Sequence, residues 1–102
     1  MHLLRGIIQS IREELDDVEK YADAALRTRV DDAQLAAVYA ELGMEEMKHA
    51  ERLHKAAVDM IAKATSAGKE APAAMKAIWE FEHAMMIEDM AHAKRILEMC
   101  KS

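Results

Sequence analysis

The sequence predicts an all-α protein, an antiparallel bundle of three helices in one domain that spans residues 1–102. Three observations lead to this prediction. The chain contains only three Gly and one Pro, which leaves little room for loops. Ala, Glu, Leu, Met and Lys, which favour helices, dominate the composition. Apolar residues recur at spacings of three and four, and no stretch has the β-branched character of a strand.

The first helix is predicted over residues 2–27. One face of this segment is apolar and contains Leu4, Ile7, Ile8, Ile11, Leu15, Val18, Ala22, Ala25 and Leu26. Glu14 interrupts the pattern, because it falls in a row with Ile7, Ile11 and Val18 rather than with the acidic residues of the outer face. It is therefore either a carboxylate aimed toward the core or a carboxylate at the edge of the apolar face.

The second helix is predicted over residues 32–67, with Asp31 or Asp32 as its N-cap. The short connection makes the first two helices antiparallel neighbours. Gly43 lies inside this helix, where Gly costs roughly 1 kcal/mol relative to Ala. A close helix approach or a local distortion beside Glu46 would explain it, and neutral drift is the alternative. The apolar row expected to face the core consists of Leu35, Tyr39, Leu42, Leu53, Ala56 and Met60.

Glu46 and His49 extend that row in the stretch EEMKHAERLH. At about 100° per residue, side chains three positions apart lie on one side of a helix and can reach one ion. A carboxylate and an imidazole turned toward a core need a partner, and a divalent metal satisfies both. The alternative is that Glu46 pairs with Lys48 or Arg52 while His49 is a hydrogen-bonded core histidine.

The third helix is predicted over residues 72–99, after the break TSAGKEAP, in which Gly68 suits a helix end and Pro72 a helix start. Its apolar face contains Met75, Ile78, Trp79, Met85, Met86, Met90, Ala93, Ile96 and Leu97. The spacing of Glu46 and His49 recurs here in Glu80 and His83.

His83 borders the apolar face of the third helix, whereas Glu80 lies toward its polar side. Glu82 is the competing carboxylate. Asp89 and His92, two turns later, form a further carboxylate–histidine pair that matches the motif less closely.

Charge and cysteine content limit the partners and the compartment. A formal charge of -5 argues against nucleic acid and anionic membranes. No apolar run is long enough for a membrane span, and we expect a cytoplasmic protein. Cys100 is the single cysteine, which excludes an internal disulfide and a four-cysteine metal site. The nine methionines have the spacing of core residues.

The stretches EELDDVEKYADAAL and LGMEEMKHAERLH resemble the first two helices of the ferritin-like superfamily, and most closely its rubrerythrin-type members. The resemblance covers about two thirds of the chain. It implies that Glu14, Glu46 and His49 bind iron in a di-iron site. The ligand chemistry alone, carboxylates with imidazole, also suits manganese and allows zinc. The resemblance also implies oxidation of iron(II) by oxygen or peroxide, a ferroxidase or peroxide-scavenging activity. The alternative is a helical interaction module of the same ancestry without redox activity.

The chain departs from that superfamily in having three helices rather than four. Either the third helix supplies Glu80 and His83 to the same site, or two chains meet and each supplies Glu14, Glu46 and His49. The second arrangement resembles the small encapsulated ferritins, whose sites lie across a dimer, and makes a homodimer or higher homo-oligomer the expected state. No extended tail resembles the targeting peptide of those proteins.

Overall fold

The computed structural model describes residues 2–66 and 73–101, and this part of the chain is all-helical, without a strand. Helix α1 spans His2–Thr28, α2 spans Ala33–Ser66 and α3 spans Ala73–Met99. The predicted all-α fold with three helices is confirmed, and the ends of the helices differ from the predicted ones by one residue or less.

The predicted last residue of the second helix, residue 67, and the predicted roles of Gly68 and Pro72 lie outside the described residues.

A short turn joins α1 to α2. On each side of this turn, a side chain forms a hydrogen bond with a backbone group at the helix end. The hydroxyl of Thr28 donates to the carbonyl oxygen of Ala24 at 2.8 Å. The N–H of Leu35 donates to Oδ1 of Asp32 at 3.0 Å, so Asp32 is the N-cap of α2. Replacing such a cap by Ala costs about 1 kcal/mol.

The largest interface is that between α1 and α2, and the smallest is that between α2 and α3. Contacts between α1 and α3 advance along both helices in the same direction. Arg12 forms an ion pair with Glu82, and the thiol of Cys100 donates to the carbonyl oxygen of Ala22 at 3.5 Å. Helices α1 and α3 therefore run parallel to each other, and α2 runs in the opposite direction.

The core follows a seam of alternating three- and four-residue steps on α1, the pattern of coiled-coil packing. Seven predicted residues of this helix are buried: Leu4, Ile8, Ile11, Leu15, Val18, Ala22 and Ala25. From α3 the buried residues are Met86, Met90, Ala93 and Leu97. Of the predicted face of α3, Met85 is 42% exposed and does not belong to the core.

The predicted core row of α2 is wrong. Leu35 is 40% exposed and Ala56 is also exposed, while the other members of that row are only partly buried. The buried row is displaced by one residue and consists of Ala36, Gly43, Met47, Ala50 and Ala57. Small side chains every seven residues let the backbone of α2 approach α1 closely, and the larger residues then lie along the flank of the interface.

Gly43 lies where all three helices come together. A Cβ atom at this position would lie 3.0 Å from Cδ2 of Leu97 on α3, and 3.6 Å from both Cβ of Tyr21 and the carbonyl oxygen of Val18 on α1. The close approach that was one explanation for this glycine is thus confirmed.

The chain is elongated, with extents of 57 × 20 × 17 Å and a radius of gyration of 16.4 Å. A compact domain of this length has a radius of about 13 Å. The accessible surface is 6799 Å², whereas a monomer of this mass exposes about 5,800 Å². Within the described ranges, no helix combines the length and apolar character that a membrane crossing requires.

Candidate metal centre

Two carboxylates and one imidazole converge where the middle of α1 meets the middle of α2. Glu14 extends from α1, and Glu46 and His49 extend from neighbouring turns of α2. One ligand atom of each residue lies within 4.8 Å of those of the other two. Nδ1 of His49 is 3.6 Å from Oε2 of Glu14 and 3.8 Å from Oε2 of Glu46. Glu14 precedes Glu46 by 32 residues in the sequence. The packing of α1 on α2 thus brings Glu14 next to Glu46 and His49.

The carboxylate of Glu14 has an oxygen without a hydrogen-bond partner. Its Oε2 atom is buried from solvent, although the side chain as a whole is 27% exposed. The 3.6 Å separation from His49 is too long for a hydrogen bond. Buried polar atoms are nearly always partnered, and a cation would satisfy this oxygen.

The donor set fits a small divalent ion. Atoms bound to one ion at about 2.0–2.2 Å lie at most about 4.4 Å apart, so small side-chain rotations would allow all three residues to contact the same ion. Carboxylate oxygens with imidazole suit iron or manganese, and also zinc. His49 is 52% exposed and Glu46 is 21% exposed, so the cluster is open to solvent on the side of the imidazole.

The ion pairs of Glu46 distinguish the metal interpretation from its simpler alternative. Among residues 2–66 and 73–101, Glu46 pairs with His49, and no ion pair joins it to Lys48 or Arg52. His49 is 52% exposed, so it does not lie in the core, and the prediction that Glu46 and His49 both turn toward the core is wrong for His49. The alternative of a Glu46–lysine or Glu46–arginine pair beside a core histidine is therefore not what the structure contains.

The cluster lies on the flank of the α1–α2 pair that faces away from α3. Arg12 and Glu19 of α1 contact Glu82 and His92 of α3. Glu14 lies two positions beyond Arg12, about 200° around the helix, and so points to nearly the opposite side. This flank is the one that α3 leaves uncovered.

A pair of aromatic side chains lies on the same flank, two turns along each helix from the carboxylates. The rings of Tyr21 and Tyr39 stack with their centroids 6.3 Å apart, one from each helix. A surface pocket beside the cluster is lined by His49, Arg52 and Leu53. The pocket beside the cluster therefore has one apolar and one cationic neighbour of His49 along its lining.

The two ligands predicted on α3 are not part of this cluster. Glu80 is exposed. The ring of His83 stacks on Trp79, with centroids 4.8 Å apart, and lies 5.0 Å from the ring of His54 on α2. The role of Glu80 and His83 as iron ligands stays a prediction, and the single chain does not bring them to Glu14.

Other acidic and histidine side chains of α3 bind α1 instead. The carboxylate of Glu82 forms an ion pair with Arg12. His92 pairs with Glu19, with 2.7 Å between its Nδ1 and Oε1 of the carboxylate. Asp89 is exposed. Glu82 and His92 therefore connect α3 to α1 rather than to the cluster.

His54 is the chemically significant residue that the sequence patterns did not single out. Its Nε2 atom lies 3.0 Å from Nε2 of His83. Burial lowers the pKa of His54 below its usual value, and the neighbouring His83 lowers that pKa further. Its position seven residues after the buried Met47 on α2 was the signal that could have placed it toward α3.

Comparison with protein families, curated proteins and solved structures found no match. The fold and site therefore define a three-helix protein with a cluster of two carboxylates and one histidine. The resemblance to the ferritin-like superfamily depends on the motifs of α1 and α2 alone.

Proposed function

We propose that this chain is a ferritin-like non-haem iron protein that oxidises iron(II) with oxygen or peroxide, and so acts as a ferroxidase or peroxide scavenger. The observation that carries the proposal is the convergence of Glu14, Glu46 and His49, with the unpartnered buried oxygen of Glu14 at its centre. Iron(II) is the substrate, and iron held at the site would supply the redox chemistry with the oxidant.

The three residues have distinct tasks in this proposal. Glu14 and Glu46 offset the positive charge of the ion, and the rigid helices hold their oxygens in place before the ion arrives. His49 supplies a nitrogen ligand that, in its neutral form, binds metal through a lone pair. Its exposure gives iron(II) and the oxidant a route from solvent.

A second copy of the chain is the expected source of the remaining ligands. Di-iron carboxylate proteins use a Glu from each of two helices and a Glu-x-x-His pair from each of two others. One copy has half of this set in Glu14, Glu46 and His49. A homodimer or higher homo-oligomer in which the open flanks of two copies face each other would have the whole set. The elongated shape, with about 1,000 Å² more surface than expected, supports such an association.

The second candidate function is a helical interaction module of the same ancestry without redox activity. The outer surface of α3 favours it, because Phe81 is 67% exposed and Met85, four residues later on the same face, is 42% exposed. Exposed apolar groups of this kind are typical of partner-binding surfaces. In this alternative the cluster binds one metal ion or none.

Iron oxidation by the purified chain and its Glu46→Ala variant tests the proposal. Iron(II) is added to the metal-free protein under air, and oxygen consumption and the near-ultraviolet absorbance of ferric iron are followed. The parent protein should oxidise iron faster than buffer alone, and Glu46→Ala should not, while its far-UV circular dichroism remains helical. Glu45→Ala is the matched control, because Glu45 is the exposed neighbouring carboxylate.

The outcomes separate the two candidates. Iron binding by Glu46→Ala equal to that of the parent would refute the assignment of the site. Metal binding by the parent without any consumption of oxygen or peroxide would favour the interaction module.

A further inference from the structure

A second group of metal-binding side chains lies between α2 and α3, away from the carboxylate cluster. His54 on α2 and His83 on α3 face each other, with 3.0 Å between their Nε2 atoms. Both residues are half-buried, and their ring planes differ by 16°. The indole of Trp79 stacks on His83 and lies 6.1 Å from the ring of His54.

The nitrogen separation fits one particular coordination geometry. Two imidazole nitrogens bound to one ion at about 2.0–2.1 Å, and separated by 3.0 Å, subtend an angle of about 95° at the ion. Neighbouring ligands in square-planar and tetragonal sites lie near this angle, which is the geometry of Cu²⁺ and Ni²⁺. A tetrahedral zinc site would require the two nitrogens to move apart.

Small movements would allow both rings to contact an ion. The torsion that rotates a histidine ring has a broad energy minimum, so both lone pairs can be directed at one point without backbone motion. Metal binds the neutral form of imidazole through a ring nitrogen, and the facing Nε2 atoms of the two rings are the nitrogens that would bind it. Without metal, one neutral ring donates an N–H to the other.

We propose that His54 and His83 form a second, nitrogen-only metal site that binds Cu²⁺ and cross-links α2 to α3. Within the described ranges, the group of three or more metal-binding side chains is Glu14, Glu46 and His49, so the histidine pair has two protein ligands and leaves the other positions to water. Imidazole nitrogens without a carboxylate discriminate against Mg²⁺, Ca²⁺ and Mn²⁺. The cross-link reinforces the smallest of the three helix interfaces.

Trp79 provides a direct reporter of this site. It is the single tryptophan of the chain, and its ring is in contact with one of the two ligands. Bound Cu²⁺ quenches the fluorescence of a tryptophan at such short range. The probe is therefore a titration with Cu²⁺ that follows tryptophan fluorescence.

The other imidazole and thiol ligands of the chain are removed first. The chain has five histidines and one cysteine. A parent variant with His2→Ala, His49→Ala, His92→Ala and Cys100→Ser retains His54 and His83 as its only imidazole ligands. His54→Ala and His83→Ala are then introduced separately into this parent, and circular dichroism checks that each variant is helical.

The parent variant should show saturable quenching at one Cu²⁺ per chain. Each single replacement should weaken the apparent affinity at least tenfold, because one nitrogen then remains. Quenching with unchanged affinity and stoichiometry in the His54→Ala variant would overturn the proposal.

A spectroscopic measurement on the parent variant keeps the proposal testable if a replacement unfolds the chain. The electron paramagnetic resonance spectrum of bound Cu²⁺ should show coupling to two imidazole nitrogens. Coupling to one nitrogen, or to none, would also overturn the proposal.

Discussion

Nδ1 of His49 lies closer to Glu14 on the neighbouring helix, at 3.6 Å from Oε2, than to Glu46 on its own helix, at 3.8 Å. The cluster is thus a property of the α1–α2 interface and not of α2 alone. Any change that shifts α1 against α2 should alter metal binding as well as stability.

Glu14→Leu should stabilise the metal-free protein. The replacement removes a buried oxygen without a partner, and such groups cost about 1–3 kcal/mol. Since the side chain is 27% exposed, we expect an increase in the free energy of unfolding of about 1 kcal/mol. Urea denaturation in the presence of a chelator measures this difference.

Adding Mn²⁺ should reverse the order of stability, because the ion stabilises only the chain that binds it. Glu13→Leu, at an exposed position, is the control and should change stability by less than about 0.5 kcal/mol. A Glu14→Leu variant less stable than the parent without metal would contradict the interpretation of this carboxylate.

Iron stoichiometry should show whether α3 takes part in the site. If two chains share the iron centre, binding should saturate at about one iron per chain, and His83→Ala should lose only a modest fraction of iron affinity. The contact of His83 with His54, away from Glu14, is the reason for this expectation. Saturation at about two irons per chain, with no binding by His83→Ala, would instead make α3 the fourth helix of a complete site.

Ala56→Arg should prevent self-association without disturbing the core of the chain. Ala56 is exposed and lies two turns from His49 on the same face of α2. If the open flank of α1 and α2 is the dimer interface, a charged side chain there leaves an unpaired cation in it. Light scattering at micromolar concentration should give a dimer for the parent and a monomer for the variant. Ala91→Arg, on exposed α3 surface, should remain dimeric, and a monomeric parent would refute the dimer.

The two helical glycines should respond differently to alanine. A Cβ atom added at Gly6 would meet no neighbouring group within 4 Å, so Gly6→Ala should raise the free energy of unfolding by about 0.5–1 kcal/mol. At Gly43 the new Cβ would lie 3.0 Å from Cδ2 of Leu97. Gly43→Ala should therefore gain less than Gly6→Ala, and chemical denaturation compares the two. Equal gains in the free energy of unfolding would show that the side chain of Leu97 moves aside without loss of stability.

Sequence alone determined the helices and the internal geometry of each one. The start of α2 followed from an acidic cap at Asp31 or Asp32, and the buried face of α1 followed from its strong periodicity. The placement of Glu46 and His49 on one side of α2 also followed, because helical geometry fixes the angle between residues three apart. These features depend on contacts within a few residues.

Only the tertiary structure decided which neighbouring row of α2 is buried. Both rows have helical spacing, and the choice depends on α1, whose seam accepts the small residues Ala36, Gly43, Ala50 and Ala57 at close approach. That choice rotates His49 to the surface and turns His54 toward His83. The unpartnered oxygen of Glu14 also depends on the tertiary structure, because the side chains around it come from α2. The apolar periodicity of α1 cannot predict those neighbours.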